Sequence, residues 1–229
     1  MYLDSEGKYS PKRIGEYIFP NDEVRKVITA YCSGEVTRPL ILSGPNGTGK
    51  SLLSRLIPRG IEGFIPEVTY VRARSLMNEK EVLNQFTYNK QFNKLFTVNG
   101  QKLGYNIIEE VNIDIKARDA FRTVLDDYRG VDLTIITTNE LENIDIGVRS
   151  RCEVLEVPPL EPKLFLPHAC KIFTIENVEY DEANLLEALE AVYDVKPDNR
   201  AYYKKVDELY RTLVLEQASR KSTPIAVMM

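Results

Sequence analysis

The chain has 229 residues, 43% hydrophobic and 28% charged, a balance that suits a soluble globular protein with one sizeable core and a small second unit. No apolar run reaches the ~20 residues of a membrane helix, the N-terminus lacks the build of a signal peptide, and a net charge of −4 argues against a nucleic-acid binder that works by bulk charge. A single histidine, His168, argues against metal clusters and Ser-His-Asp triads, so hydrolysis would rest on carboxylate, lysine, arginine and a metal ion. Along the chain, residues 8–20 read as a Pro- and Gly-punctuated arm, after which Asn21 or Asp22 caps a helix bearing Val24, Val27, Ile28 and Tyr31. Leu40-Ile41-Leu42 suits a buried strand, and residues 52–57 a helix that Pro58 and Gly60 are expected to stop. Further strands are expected at 68–71, 104–108, 133–137 and 154–157, with helices at 79–96, carrying Phe92 and Leu95, and at 115–128. This alternation implies βαβ units and a mostly parallel sheet. Pro158-Pro159-Leu160-Glu161-Pro162 breaks the pattern, and helices follow at about 164–176, 182–193 capped by Asp181, and 198–217 capped by Asp198, although Pro167 blurs the start of the first. The expected division is a base over 1–158, a helical unit over 159–218 and a frayed tail over 219–229. Cys32, Cys152 and Cys170, odd in number and far apart, read as small core residues of a reducing compartment, the cytosol, nucleus or nucleoid.

Gly44-Pro45-Asn46-Gly47-Thr48-Gly49-Lys50-Ser51 fits G-x-x-x-x-G-K-[ST] at every fixed position, between an expected strand and an expected helix. In that order the loop amides curl around a triphosphate at the positive end of the helix dipole, Lys50 reaches the terminal phosphates and the Ser51 hydroxyl faces magnesium. The expected nucleotide contacts run from Gly44 to Leu52. Glu109 and Glu110 follow an apolar strand some sixty residues on; they are either two solvated acids or a magnesium-holding Glu109 beside a water-activating Glu110, and the phosphate loop favours the second. Asn139 closes another strand, at the sheet edge where ligands bind, and spacing alone leaves it between phosphate contact and turn residue. Arg151 is either a surface ion pair or an arginine offered to a neighbouring subunit's phosphate, and Arg200 is equally open when read alone.

Together these segments resemble AAA+ ATPases, and among them the small subunits of sliding-clamp loaders. Lys8-Tyr9-Ser10-Pro11-Lys12 is similar to their K-Y-R-P-K box, Glu109-Glu110-Val111-Asn112 to their D-E-x-D box, and residues 120–128 to the helix ending R-x-x-M-E-x-Y. Thr138-Asn139 matches the first sensor, Ser150-Arg151-Cys152 the S-R-C box, and Pro197-Asp198-Asn199-Arg200 the lid's G-D-x-R. The resemblance runs from about residue 8 to 210. It implies an α/β P-loop fold with a five-stranded parallel sheet and a helical lid, ATP and Mg2+ as cofactors, and binding where base and lid meet. It places Tyr9 and Pro11 beside adenine, makes Arg200 a second sensor and gives Arg151 its role in trans. The implied partners are other AAA+ subunits in a homo- or hetero-oligomer, a sliding clamp and primer–template DNA, the last near Arg72, Arg74 and Lys80. No membrane partner is implied. A helicase loader, a transposition regulator or a non-catalytic nucleotide switch are the other readings of the same motifs. Glu109, Asn112 and Ser10 depart from the family's usual residues, and the chain ends where a C-terminal collar would begin, a short form that would suit a phage, virus or mobile element.

Overall fold

The computed structural model describes residues 2–88, 100–111, 116–127 and 129–222. Phe92 and Leu95, Asn112, Tyr128 and the last seven positions of the expected tail lie outside them. The chain divides into two compact units, residues 12–158 and residues 1–11 with 159–229.

The larger unit is built on five strands, β1 (Leu40–Ser43), β2 (Thr69–Val71), β3 (Gly104–Ile108), β4 (Asp132–Thr138) and β5 (Glu153–Glu156). They form one parallel sheet in the order β2-β3-β4-β1-β5. Every residue of β1 and of β4 is buried, as central strands of a parallel sheet covered on both faces are. The two-residue period assigns the faces. Leu40, Leu42, Ile107, Leu133 and Ile135 pack with α2 (Asp22–Cys32), through Val24, Ile28 and Tyr31, and with α3 (Lys50–Glu62), through Leu53, Leu56 and Ile57. Ile41, Ile108 and Ile136 pack on the other face, with Val82 of α4 (Glu79–Leu83), Phe121, Val124 and Leu125 of α5 (Arg118–Asp127), and Val148 of α6 (Ile146–Arg149).

One expectation is corrected here. The helix after the phosphate loop does not stop at Pro58 or Gly60; it runs to Glu62 and ends at Gly63, whose N–H returns to the Arg59 carbonyl at 2.9 Å. Pro58 removes one donor from the helix, yet it is carried inside it and is buried, as are Ile57 and Ile61. Gly60 marks a close approach: a Cβ there would lie 2.6 Å from Cys32 Sγ. Burial raises the Cys32 thiol to about 11 and the Cys152 thiol to about 12, so both are inert at neutral pH. The helix expected over 79–96 is seen as α4 followed by a π-helical turn over Asn84–Tyr88, and its remaining positions lie outside the described residues.

The smaller unit is helical. It comprises α1 (Ser5–Tyr9), α7 (Pro162–Ile175), α8 (Glu182–Val195) and α9 (Asn199–Ser222). Pro162 opens α7 at a position where its missing N–H costs nothing, and Pro167 is carried inside the same helix. Asp181 caps α8 by accepting from Asn184 N at 2.8 Å, and Asp198 accepts from Arg200 N at 2.9 Å at the start of α9. The core stacks Phe165 on Tyr202 at 5.0 Å and sets it edge-on to Tyr203 at 5.1 Å. Residues 1–11, expected in the base and partly as an irregular arm, instead include a helix that docks on α9. The buried Ser5 donates from its amide to Asp207 Oδ1 at 2.9 Å and from its hydroxyl to the Tyr203 carbonyl at 3.0 Å. Residues 219–222, expected to fray, complete α9.

Candidate nucleotide-binding site

The phosphate loop leaves β1 at Ser43 and closes into α3. Gly44 sits at φ +138 with its α-carbon so close to β5's exit that a Cβ would lie 2.4 Å from the Val157 carbonyl oxygen, and Gly47 and Gly49 hold φ of +80 and +94. The first turn of α3 carries no acidic side chain, so its free amides and positive dipole end are left for an anion. Lys50, only 7% exposed, folds back over the loop and donates to the carbonyls of Gly44 at 2.8 Å and Pro45 at 2.6 Å. Thr48 is buried and its hydroxyl donates to the Pro45 carbonyl at 3.2 Å. Pro45 and Asn46 are exposed, whereas Ser51 and Leu52 are half-buried in the first turn of α3.

The sheet brings three expected groups to this edge. Ser43 is in register with Thr138, which directly precedes Asn139, and Ile108 at the end of β3 is in register with Ile136. Glu109 and Glu110 follow Ile108 and differ sharply. Glu109 is half-buried and its Oε1 is sealed from solvent with no hydrogen-bond partner among the described residues, whereas Glu110 is exposed and holds φ +55. A left-handed conformation costs a non-glycine residue about 1–2 kcal/mol, so the neighbours must impose it. They do so from β4: Thr137 Oγ1 accepts from Glu110 N at 3.0 Å, the Thr137 carbonyl accepts from Val111 N at 2.9 Å, and Thr138 Oγ1 donates to the Val111 carbonyl at 2.7 Å.

Arg151 follows α6. Its Nε donates to Asp126 Oδ2 at 2.8 Å and its Nη1 to the Gly147 carbonyl at 2.8 Å. The backbone beside it is braced by Arg38, which donates to the carbonyls of Ser150 at 2.5 Å and Arg151 at 3.2 Å. Asp145 caps α6, accepting from Gly147 N at 2.8 Å and from Arg122; the Arg122 guanidinium, more than the helix amides, holds the Asp145 carboxyl below its ordinary range. Arg149 Nε is buried without a partner among the described residues.

Tyr9, Pro11 and Arg200 belong to the helical unit. The Tyr9 hydroxyl donates to Glu176 Oε1 at 2.5 Å, Lys8 Nζ reaches the same oxygen at 2.6 Å, and these two, Lys8 foremost, keep the Glu176 carboxyl below its usual range. Pro11 is buried, and Arg200 is 65% exposed on its side chain, with Nε 3.9 Å from Glu6. Reading the sequence did not single out Thr137, Asp126 or Arg38; two adjacent hydroxyls ending a fully buried strand were the available signal for the first.

The strand order, the loop after β1, the acids after β3 and the asparagine after β4 define an AAA+ P-loop fold. Solved structures agree on the fold: a RuvB variant from Thermotoga maritima superposes with a TM-score of 0.67 at 16% identity, covering 90% of this chain and 68% of that one. The RuvB Holliday junction branch migration motor of the same organism gives 0.57 at 16% identity, with 89% and 72% covered. In sequence the chain resembles the small subunits of replication factor C. It is 22% identical over 203 residues to a protein assigned as such in Acanthamoeba polyphaga mimivirus, covering 85% of this chain and 57% of the relative. Replication factor C small subunit 1 of Pyrobaculum arsenaticum is 23% identical over 193 residues, covering 82% and 56%. The chain therefore spans a little over half the length of these relatives. No family model matches it.

Proposed function

We propose that this chain binds ATP with magnesium and hydrolyses it as a subunit of a clamp-loader-type assembly that places a sliding clamp on primer–template DNA. The observation that carries the reading is the meeting, at one sheet edge, of the phosphate loop, a sealed carboxylate oxygen at Glu109, an exposed Glu110 and Asn139. The residues fit the metal. Among the described residues no cluster of three or more His, Cys, Asp or Glu could hold a metal on protein groups alone, and Mg2+ takes one or two protein oxygens and completes its shell with water and phosphate. Ser51 and Glu109 would hold it, which also gives the orphaned Oε1 a reason to exist. When bound, the metal neutralises charge on the phosphate oxygens.

The protein's own steps follow from the placement. Lys50 exchanges the Gly44 and Pro45 carbonyls for phosphate oxygens. Glu110 takes the proton of the attacking water at its carboxylate, and Asn139 orients that water against the terminal phosphate. Arg151 leaves Asp126 for a neighbouring subunit's nucleotide. Similarity to replication factor C small subunits supports the clamp and primer–template junction as partners. Arg72, Arg74 and Lys80, all exposed around the turn that follows β2, are the candidate contacts to DNA phosphates. Among the described residues no helix is long and apolar enough to cross a membrane.

ATP turnover measured with clamp, primed DNA and partner subunits tests this. Stimulation by clamp and primed DNA together, abolished by Glu110→Gln with ATP binding retained, is the expected result. Stimulation by bare DNA with no effect of the clamp would shift the reading to a helicase loader or similar DNA-acting ATPase. Binding without turnover under all conditions would make the chain a nucleotide switch.

A further inference from the structure

We propose that Thr137 is a positioning residue for hydrolysis: its buried hydroxyl holds the Glu110 turn in its left-handed conformation and ties that turn to the segment carrying Asn139. The inference rests on the reading of Glu110 as the base. Regular pairing of β3 with β4 ends at Ile108 and Ile136. Beyond that point Glu110 turns to φ +55 and departs from strand geometry, so the regular ladder ends and one backbone bond remains, Val111 N to the Thr137 carbonyl at 2.9 Å. Threonine hydroxyls supply the other bonds. Thr137 Oγ1 accepts the Glu110 amide and Thr138 Oγ1 donates to the Val111 carbonyl, while the same Thr138 oxygen accepts the Glu140 amide at 3.0 Å. Two consecutive side chains thus clasp the acid turn on one side and the turn around Asn139 on the other.

Packing alone does not ask for these hydroxyls. Thr137 is 1% exposed and Thr138 fully buried, in a strand whose other central positions include Leu133, Ile135 and Ile136. Valine has the same shape and would fill either place, and a buried hydroxyl is tolerated only when its bonding is satisfied. Each hydroxyl here bonds the acid turn, so what the threonines add over valine is control of that turn. The Cα–Cβ direction of Glu110 follows from its backbone, and through it the reach of the carboxylate. It also separates the two acids, leaving Glu109 with a sealed oxygen and Glu110 in solvent.

The test compares Thr137→Val, which keeps shape and removes the acceptor, with Thr137→Ser, which keeps the acceptor, in the full chain assembled with its partners. In the valine variant kcat should fall by between about tenfold and a hundredfold, the scale of an ångström-sized misplacement, while KM and ATP affinity stay within about twofold. Serine should restore at least half the rate. Amide hydrogen exchange supplies a readout that needs no turnover: Glu110 N–H should exchange at least about tenfold faster in the valine variant than in the wild type or the serine variant, because the Thr137 acceptor is gone. If valine fails to fold, Thr137→Ala lacks the acceptor equally and takes its place. A valine variant with wild-type kcat, a serine variant as slow as valine, or unchanged exchange at Glu110 overturns the proposal. A wild-type chain without turnover sinks the hydrolase reading instead, and the exchange arm then decides the positioning claim alone.

Discussion

Arg151 and Asp126 are joined by a single charge-assisted hydrogen bond, Nε to Oδ2 at 2.8 Å, with both side chains open to solvent at 34% and 56%. An exposed pair of this kind is worth about 1 kcal/mol or less, so it can be exchanged for a stronger anion at little cost. A phosphate undergoing transfer on a neighbouring subunit is such an anion, and an arginine supplied there is worth on the order of a thousandfold or more in rate. Arg151→Ala should therefore leave melting and ATP affinity nearly unchanged while removing turnover in the assembly. Mixing it with Glu110→Gln protein should restore part of the activity, since a Glu110-bearing site beside an Arg151-bearing neighbour is whole. Turnover independent of protein concentration, with no recovery on mixing, would place Arg151 in cis or nowhere in the reaction.

Gly44 offers a stability test of the loop itself. A Cβ at this position would meet the Val157 backbone oxygen at 2.4 Å, and φ +138 is a conformation that side chains avoid. Gly44→Ala should cost about 2 kcal/mol or more in chemical denaturation and lower ATP affinity together with it, because the exit of β5 and the loop must part. Gly15, whose added Cβ would meet nothing within 4 Å, is the control, and Gly15→Ala should change neither quantity appreciably. Equal behaviour of the two variants would mean that the close approach is absent in solution.

The helical unit should weaken in mild acid. His168 is the chain's only histidine, part-buried with Nε2 3.2 Å from the Tyr203 hydroxyl. Burial, and after it Lys171, lowers its pKa, with a Tyr9 backbone contact opposing. The folded value lies below the ordinary one of about 6.5, so the unfolded chain binds the proton first; the contribution to stability is complete above about 6.5 and is lost as pH falls through the folded value. The imidazole resonance should titrate below the usual histidine midpoint, and the slope of stability between pH 5 and 6.5, on the order of a kilocalorie per pH unit at most, should flatten in His168→Gln. A midpoint at or above about 6.5 would contradict the burial.

Much of this was legible in the residues. Leu40-Ile41-Leu42, the phosphate loop and the apolar face of α5 carry their signals within a few positions, and the sheet and site edge follow from them. What escaped was set by distant partners. Gly60 looks like a helix breaker until Cys32, 28 positions earlier, is found against it. Residues 1–11 join the helical unit because Ser5 meets Asp207 and Tyr203, about two hundred positions away. Thr137 reads as one more strand residue until the backbone of Glu110 is seen to need it.

The most direct measurement is an equilibrium titration of the full chain and of Lys50→Ala with ATP in the presence of magnesium. Lys50 already makes two charge-assisted hydrogen bonds across the loop and would redirect them to phosphate, so its removal forfeits roughly 3 kcal/mol, or about a hundredfold in affinity. The account predicts saturable binding by the wild type and a loss of at least that size in a variant that keeps its circular dichroism spectrum. A wild type that does not bind, or a folded Lys50→Ala protein that binds as tightly, would contradict it.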